Sequence, residues 1–285
     1  MLYDQIKKNK RKTILLILIT VITFAILGSI IGELTMNSYL AGLIIAGIVG
    51  GFTMISFLFT GTKMVMRQNN AYEITENDAP QVWHMVQDMA MVAQLPMPRV
   101  FIIEDPTANA FAMGLSPKRA SLAITTGLLN LMTRSEIEGV IGHEMTHIRN
   151  YDVRTMTIIA ALSAAISTML NYNIITRDPD DDSGFVGLLI RVVLMIIIGI
   201  LASFIMLLLQ SIVSRSQEYS ADAGSAELTR NPKGLISALE KLETLEPTHV
   251  TTKGMAAMYF GPIDSQKWFN THPDTQDRIE ALKKL

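Results

Sequence analysis

Uninterrupted apolar runs occupy the start and the middle of the chain. Residues 13–32 and 38–60 contain no charged side chain, and each is long enough to cross a bilayer core, which takes about 20 residues of helix. A third run, 155–175, has only Asn171 and Asn173 as strongly polar interruptions. The fourth covers about 184–214; its Arg191 can snorkel to the nearer interface while 192–209 crosses uncharged. This pattern predicts four transmembrane helices, the last two forming a hairpin.

Between and after the runs the periodicity changes. Residues 79–93 read as a helix closed by Pro96 and Pro98, and 100–104, 108–113 and 120–125 as short strands. A helix then starts on a capping box of Ser135 and Glu138 and continues through Ile137, Val140, Ile141, Met145 and Ile148 at helical spacing. Residues 217–228 and 232–245 read as helices separated by Asn231-Pro232, and 275–285 as a last one. The expected fold is a mainly α integral membrane protein with a soluble α+β domain delivered in two pieces. Residues 1–60 form an N-terminal anchor, 61–154 the first piece, 155–214 the hairpin and 215–285 the second piece.

Charge placement orients this layout. Lys7, Lys8, Lys10, Arg11 and Lys12, then Lys63 and Arg67, Arg149 and Arg154, and Arg215 all fall on one side of the four predicted crossings. The opposite loops hold Glu33 in one case, and Arg177 with Asp178, Asp180, Asp181 and Asp182 in the other. Positive residues concentrate on the cytoplasmic side, so both termini and both domain pieces are expected in the cytoplasm. A secretory signal also begins with positive residues, but the first run is longer than a signal core and lacks a small-x-small cleavage site, which favours an uncleaved anchor.

Composition agrees with a membrane protein, with 49% hydrophobic and 18% charged residues against about a quarter charged in soluble domains. A net charge of −2 excludes the basic excess of a nucleic-acid-binding protein. The absence of cysteine excludes disulfides and thiolate metal sites, leaving His and carboxylate as metal ligands.

Such ligands are present in a suggestive order. His143-Glu144-Met145-Thr146-His147 is an H-E-x-x-H pattern within a predicted helix; two histidines four apart project from one face and can converge on one ion. Glu144 follows the first of them, placed to take a proton from water at the open side of the metal. A three-ligand zinc site needs one more donor, and two histidines with a glutamate are a recurring set. Glu218-Tyr219-Ser220-Ala221-Asp222 offers Glu218 as that donor and, one turn on, Asp222 as an acceptor for a ligand histidine's second ring N–H. Two predicted crossings separate His147 from Glu218, an even number, so both lie on one side of the membrane. His147 is eight residues before Thr155, about 12 Å along a continuous helix, which puts the metal near the membrane surface.

With Asn109-Ala110-Phe111-Ala112 and Thr271-His272-Pro273, these motifs occur in the order and context of the HtpX family of membrane zinc endopeptidases, which the whole chain resembles. The resemblance implies a gluzincin-type site related to the CAAX prenyl endopeptidases. In it a zincin-like domain holds one Zn2+ per chain on His143, His147 and Glu218, with Glu144 as the catalytic residue. It further implies that Asn109 and Ala110 lie on an edge strand beside the substrate, and that His272 and Arg278 lie near the active site, where a donor can stabilise a tetrahedral oxyanion. The implied role is quality control of misfolded or damaged membrane proteins under stress. His84 and His249 match nothing in the family and read as surface histidines.

Two alternatives stay open on the residues alone. A CAAX-type prenyl-protein endopeptidase shares both metal motifs, although four spans rather than seven count against it. A non-catalytic, zinc-stabilised membrane scaffold or sensor explains the ligands but leaves Glu144 without a task.

Overall fold

A computed structural model describes residues 2–160, 215–245 and 273–285. The predicted fourth span, most of the third, His249 and His272 lie outside these residues.

The first two apolar runs sit inside longer helices, α1 (Leu2–Met36) and α2 (Tyr39–Gln68), packed against each other. Asn37 turns the chain between them with φ of 50°, a left-handed conformation that asparagine tolerates. Ser38 then caps α2 by accepting a hydrogen bond from the Ala41 N–H at 3.3 Å. Gly32 and Gly42 meet across the pair, where any Cβ would collide with backbone. The outer faces carry Ile48, Phe52 and Phe59 at 66%, 72% and 73% exposure, an arrangement that water penalises and lipid does not. Among the described residues one helix, Tyr39–Arg67, is long and apolar enough to cross a membrane.

After α2 the chain builds a four-stranded mixed sheet from β1 (Ala71–Glu73), β2 (Arg99–Ile103), β3 (Ala110–Met113) and β4 (Ser121–Thr125), ordered β1-β2-β4-β3. β2 and β4 are parallel, while β1 and β3 pair antiparallel at the two edges. Helix α3 (Pro80–Val92) lies between β1 and β2 in the chain. Its Val86 joins Val100, Leu122 and Ile124 of the strands in a core that also receives Val140, Ile141, Met145 and Ile148. Those four belong to α5 (Arg134–Arg149), which lies between the sheet and the later helices α6 (Arg215–Thr229) and α7 (Pro232–Glu243). The last helix, α8 (Thr275–Leu282), packs on α6 and α7 and adds Ile279 and Leu282 to the same core.

Two short elements escape the hydrophobic pattern. β1 has three residues and a half-exposed face, and α4 (Thr126–Leu131) is a short six-residue helix capped by Thr125, whose hydroxyl accepts from the Leu128 N–H at 3.3 Å. The start of α5 also differs from expectation. Its capping box is Thr133 with Glu136, the Thr133 N–H donating to Glu136 at 2.7 Å, and Glu138 instead pairs with Arg134 on the exposed face. Both pairs satisfy the S/T-x-x-E spacing, and burial chooses between them: Glu136 is 4% exposed.

The end of α5 carries a second correction. No continuous helix joins His147 to Thr155: Asn150 and Tyr151 form a turn, Tyr151 has φ of 62°, and a new helical segment starts at 152. Across this turn the Asp152 carboxylate lies 3.1 Å from His147 Nδ1.

Candidate active site

His143 and His147 stand one turn apart on α5, both almost fully buried. Their rings meet edge to face at 84° with centroids 4.7 Å apart. Helix α6 lies directly against α5 because glycines stand at the contact. A Cβ at Gly224 of α6 would lie 2.4 Å from the Thr146 side chain, and one at Gly142 of α5 would lie 3.0 Å from the Ser225 hydroxyl. That hydroxyl donates to the Gly139 carbonyl at 2.6 Å. This close packing brings Glu218 to the histidines: its two carboxylate oxygens lie 3.7 Å from His143 Nε2 and 3.5 Å from His147 Nε2.

The hydrogen bonds behind the rings fix what the rings present in front. His143 Nδ1 is 2.9 Å from Asp222 and His147 Nδ1 is 3.1 Å from Asp152. Each carboxylate accepts only, so each Nδ1 carries a hydrogen and each Nε2 is the atom left to offer a lone pair to a cation. The two Nε2 atoms are 3.1 Å apart, and with Glu218 they form a group of ligand atoms within 4.8 Å of one another. Two lone pairs and a carboxylate converging on one point suit a cation.

Charge makes the same case. Glu144, Asp152, Glu218 and Asp222 are buried at 1–4% exposure, and Arg278 is the buried cation beside them among the described residues. Buried charge is costly unless compensated. A divalent ion supplies the missing positive charge, and a donor set of two imidazoles and one carboxylate suits zinc. The histidines respond to the same field. Burial pulls both pKa values down, and His143, with His147 and Arg278 also nearby, lies at about 4 despite its bond to Asp222. At His147 the hydrogen bonds to Asp152 and Glu218 outweigh burial and hold the pKa well above its ordinary value, so that without a cation a proton on Nε2 faces Glu218 in the place a metal would take.

Arg278 enters from α8. Its Nε and Nη2 donate to the two oxygens of Asp222 at 2.8 and 2.7 Å, and its Nη1 lies 3.9 Å from Glu218. Burial opposes the charged form, but Asp222, Glu218 and Glu144 raise its pKa. Burial likewise opposes ionisation of Asp222, and Arg278 and His143 nevertheless keep its pKa below the ordinary value. The guanidinium fork is thus committed to the carboxylate that orients His143.

Asn109 and Ala110 are buried at the start of the edge strand β3, with the Thr125 hydroxyl accepting from the Asn109 N–H at 2.8 Å and donating to its carbonyl at 2.9 Å. His84 is exposed and pairs with Glu76 at 3.0 Å. Asp152 went unread in the sequence. Its only signal there is position, an acid five residues after His147 and just before an apolar run.

The residues therefore define a buried metal centre of two histidines and a carboxylate, held between two halves of an α+β domain that are far apart in sequence. Residues 76–285 match the model of peptidase family M48, and the chain belongs to that family. It is 48% identical over 299 residues to a protein from Streptococcus gordonii named protease HtpX homolog, with both chains covered completely. Proteins of the same name from Streptococcus agalactiae serotype III and Streptococcus pyogenes serotype M28 are 48% and 46% identical, again over the full length of both chains. The crystal structure of S. mikatae Ste24p is similar at 17% identity and a TM-score of 0.49, covering 91% of this chain and 61% of that one. The enzyme is a membrane-bound metalloprotease whose buried His143, His147 and Glu218 can bind one metal ion.

Proposed function

We propose that this enzyme cleaves internal peptide bonds in extended segments of misfolded or damaged membrane proteins, at the cytoplasmic face of the cell membrane. The observation that carries the reading is the position of the metal centre: Asp152 belongs both to the His147 hydrogen bond and to the helical segment that leads into the third apolar run. A site tied that closely to the start of a membrane segment suits substrates that emerge from the bilayer. The supporting layout is that of the charge pattern, with four spans, both termini inside, and a peptidase domain split between residues 61–154 and 215–285. Quality control is the corresponding biological role.

His143, His147 and Glu218 would hold the ion, which when bound polarises the scissile carbonyl and acidifies a water molecule. Glu144, adjacent to the first ligand and buried, takes the proton from that water and returns it to the leaving amine. Asp222 fixes the tautomer and orientation of His143, and Arg278 holds Asp222 in its ionised form while tying α8 to the site. Ala110 begins the edge strand β3 and Asn109 directly precedes it, and the proposed role of this edge is to receive an extended peptide by main-chain hydrogen bonds. His272, which precedes Pro273 and α8 in sequence, is the candidate donor to the oxyanion.

Glu144→Gln tests the central role, since it keeps size and helix propensity while removing the proton acceptor. Metal content should stay at the wild-type level while turnover of a membrane-protein substrate falls by at least roughly 10²- to 10⁴-fold, the usual contribution of positioned acid–base catalysis. Equal, chelator-sensitive cleavage rates at equal zinc occupancy would remove Glu144 as the base.

A further inference from the structure

Asp152 does two things at once. Its Oδ2 accepts from His147 Nδ1 at 3.1 Å, and its Oδ1 accepts from the Gln217 side-chain amide at 2.6 Å. Asp152 and Gln217 are 65 positions apart and flank the long apolar stretch: Asp152 lies three residues before Thr155, and Gln217 three after Ser214. The two ends of the stretch therefore meet at one carboxylate, which is 1% exposed and in direct contact with a metal ligand. Two further contacts fasten the same place. Asn150 reaches the Ser220 hydroxyl at 3.4 Å, and Arg154 donates to the Leu115 carbonyl at 2.8 Å.

We infer that Asp152 is a positioning residue, which orients His147 for the metal and, through Gln217, ties together the chain positions that flank the long apolar stretch, so that the contact between 152 and 217 and metal affinity are coupled. The reason lies in the acceptor chemistry. A carboxylate behind a ligand imidazole fixes its tautomer and raises its basicity, and loss of such a partner lowers metal affinity about 10- to 100-fold. One carboxylate serving both contacts cannot move with Gln217 and leave His147 unmoved. The inference rests on the metal-site reading above.

The test uses the full-length protein in lipid nanodiscs, with zinc affinity measured against a competing chelator and Co2+ substituted in parallel, because its visible bands report ligand geometry. Asp152→Asn, which keeps the shape and removes the charge, should lower zinc affinity about 10- to 100-fold and shift the Co2+ bands. Gln217→Leu keeps the carboxylate but opens that contact, so it should shift the bands in the same direction with a smaller loss of affinity. Arg154→Gln, two residues from Asp152 but without contact to a ligand, should keep wild-type affinity and bands even if it melts earlier. Wild-type affinity and bands in Asp152→Asn would overturn the positioning role, and unchanged bands in Gln217→Leu would overturn the coupling. Should Asp152→Asn fail to accumulate, Gln217→Leu against Arg154→Gln still decides. Failure of the wild-type protein to bind zinc would instead overturn the metal-site reading.

Discussion

His143 and His147 each place Nδ1 against a carboxylate, yet the two carboxylates come from opposite sides of the chain's long apolar stretch. The ligand set itself was legible in sequence, because the H-E-x-x-H and E-x-x-x-D spacings are helix-face arithmetic. Asp152 was not, since its role depends on the left-handed turn at Tyr151, which no periodicity signals. Arg278 was placed near the site by resemblance, but its commitment to Asp222 emerges only when α8 is packed on α6. Substitutions should separate these roles. Glu218→Ala should remove most of the bound metal, whereas Asp222→Asn should weaken affinity about 10- to 100-fold, as read by metal analysis of purified protein. If Glu218→Ala retains full metal, the third ligand lies elsewhere, with His272 the first place to look. Arg278→Lys loses the two-pronged contact with Asp222 and leaves a buried carboxylate poorly compensated. Because lysine keeps the positive charge, the cost should stay below the roughly 3–5 kcal/mol of removing a buried charged partner outright, and it should register as a lower unfolding midpoint in denaturant.

Among the elements, α5 is the one that everything else locates. Its N-terminus is held by Glu136, which accepts from the Thr133 N–H, from the Ser237 hydroxyl and from Lys241, both of the latter on α7, at 2.7, 2.5 and 2.7 Å. Burial alone would raise the Glu136 pKa, but Lys241, Ser237 and Thr133 together bring it down to about 2. A carboxylate depressed on folding gives stability that is complete above its unfolded pKa of about 4.5 and is lost as pH falls toward the folded value. Melting temperatures of wild type and Glu136→Gln should therefore differ most at pH 6 to 7, by an amount equivalent to a few kcal/mol. The gap should narrow below about pH 4.5. A gap that stays constant from pH 7 to pH 3 would mean that shape rather than charge joins α5 to α7. The longer strands and most helices were readable to within a few residues from apolar runs bounded by Pro and Asn. What periodicity could not rank was the choice between two equally spaced capping boxes, which tertiary burial decided in favour of Glu136.

At the scale of the whole molecule, the metal site is made by bringing together residues on either side of an apolar stretch, so its assembly and the membrane topology are one problem. His143 and His147 precede that stretch, Glu218 and Asp222 follow it, and all four meet. The ends of the stretch are thus on one side of any membrane it enters, which an even number of crossings satisfies. The excess of Lys and Arg beside the predicted spans argues that this side is the cytoplasm. Because the chain has no cysteine, single cysteines can be introduced without first clearing the background. Ser116→Cys and Ser265→Cys fall in the two domain pieces predicted from sequence, and Asp181→Cys falls between the predicted third and fourth spans. With a membrane-impermeant thiol reagent on intact cells, only Asp181→Cys should react, and all three should react after the membrane is opened. Reaction at Ser116→Cys or Ser265→Cys with Asp181→Cys silent would invert the orientation and put the active site outside. Silence at all three until lysis would leave the orientation intact but make 155–214 a hairpin that enters the bilayer from the cytoplasm and returns without crossing. The metal site would tolerate that outcome, since its four residues require only that the two ends return to the same side.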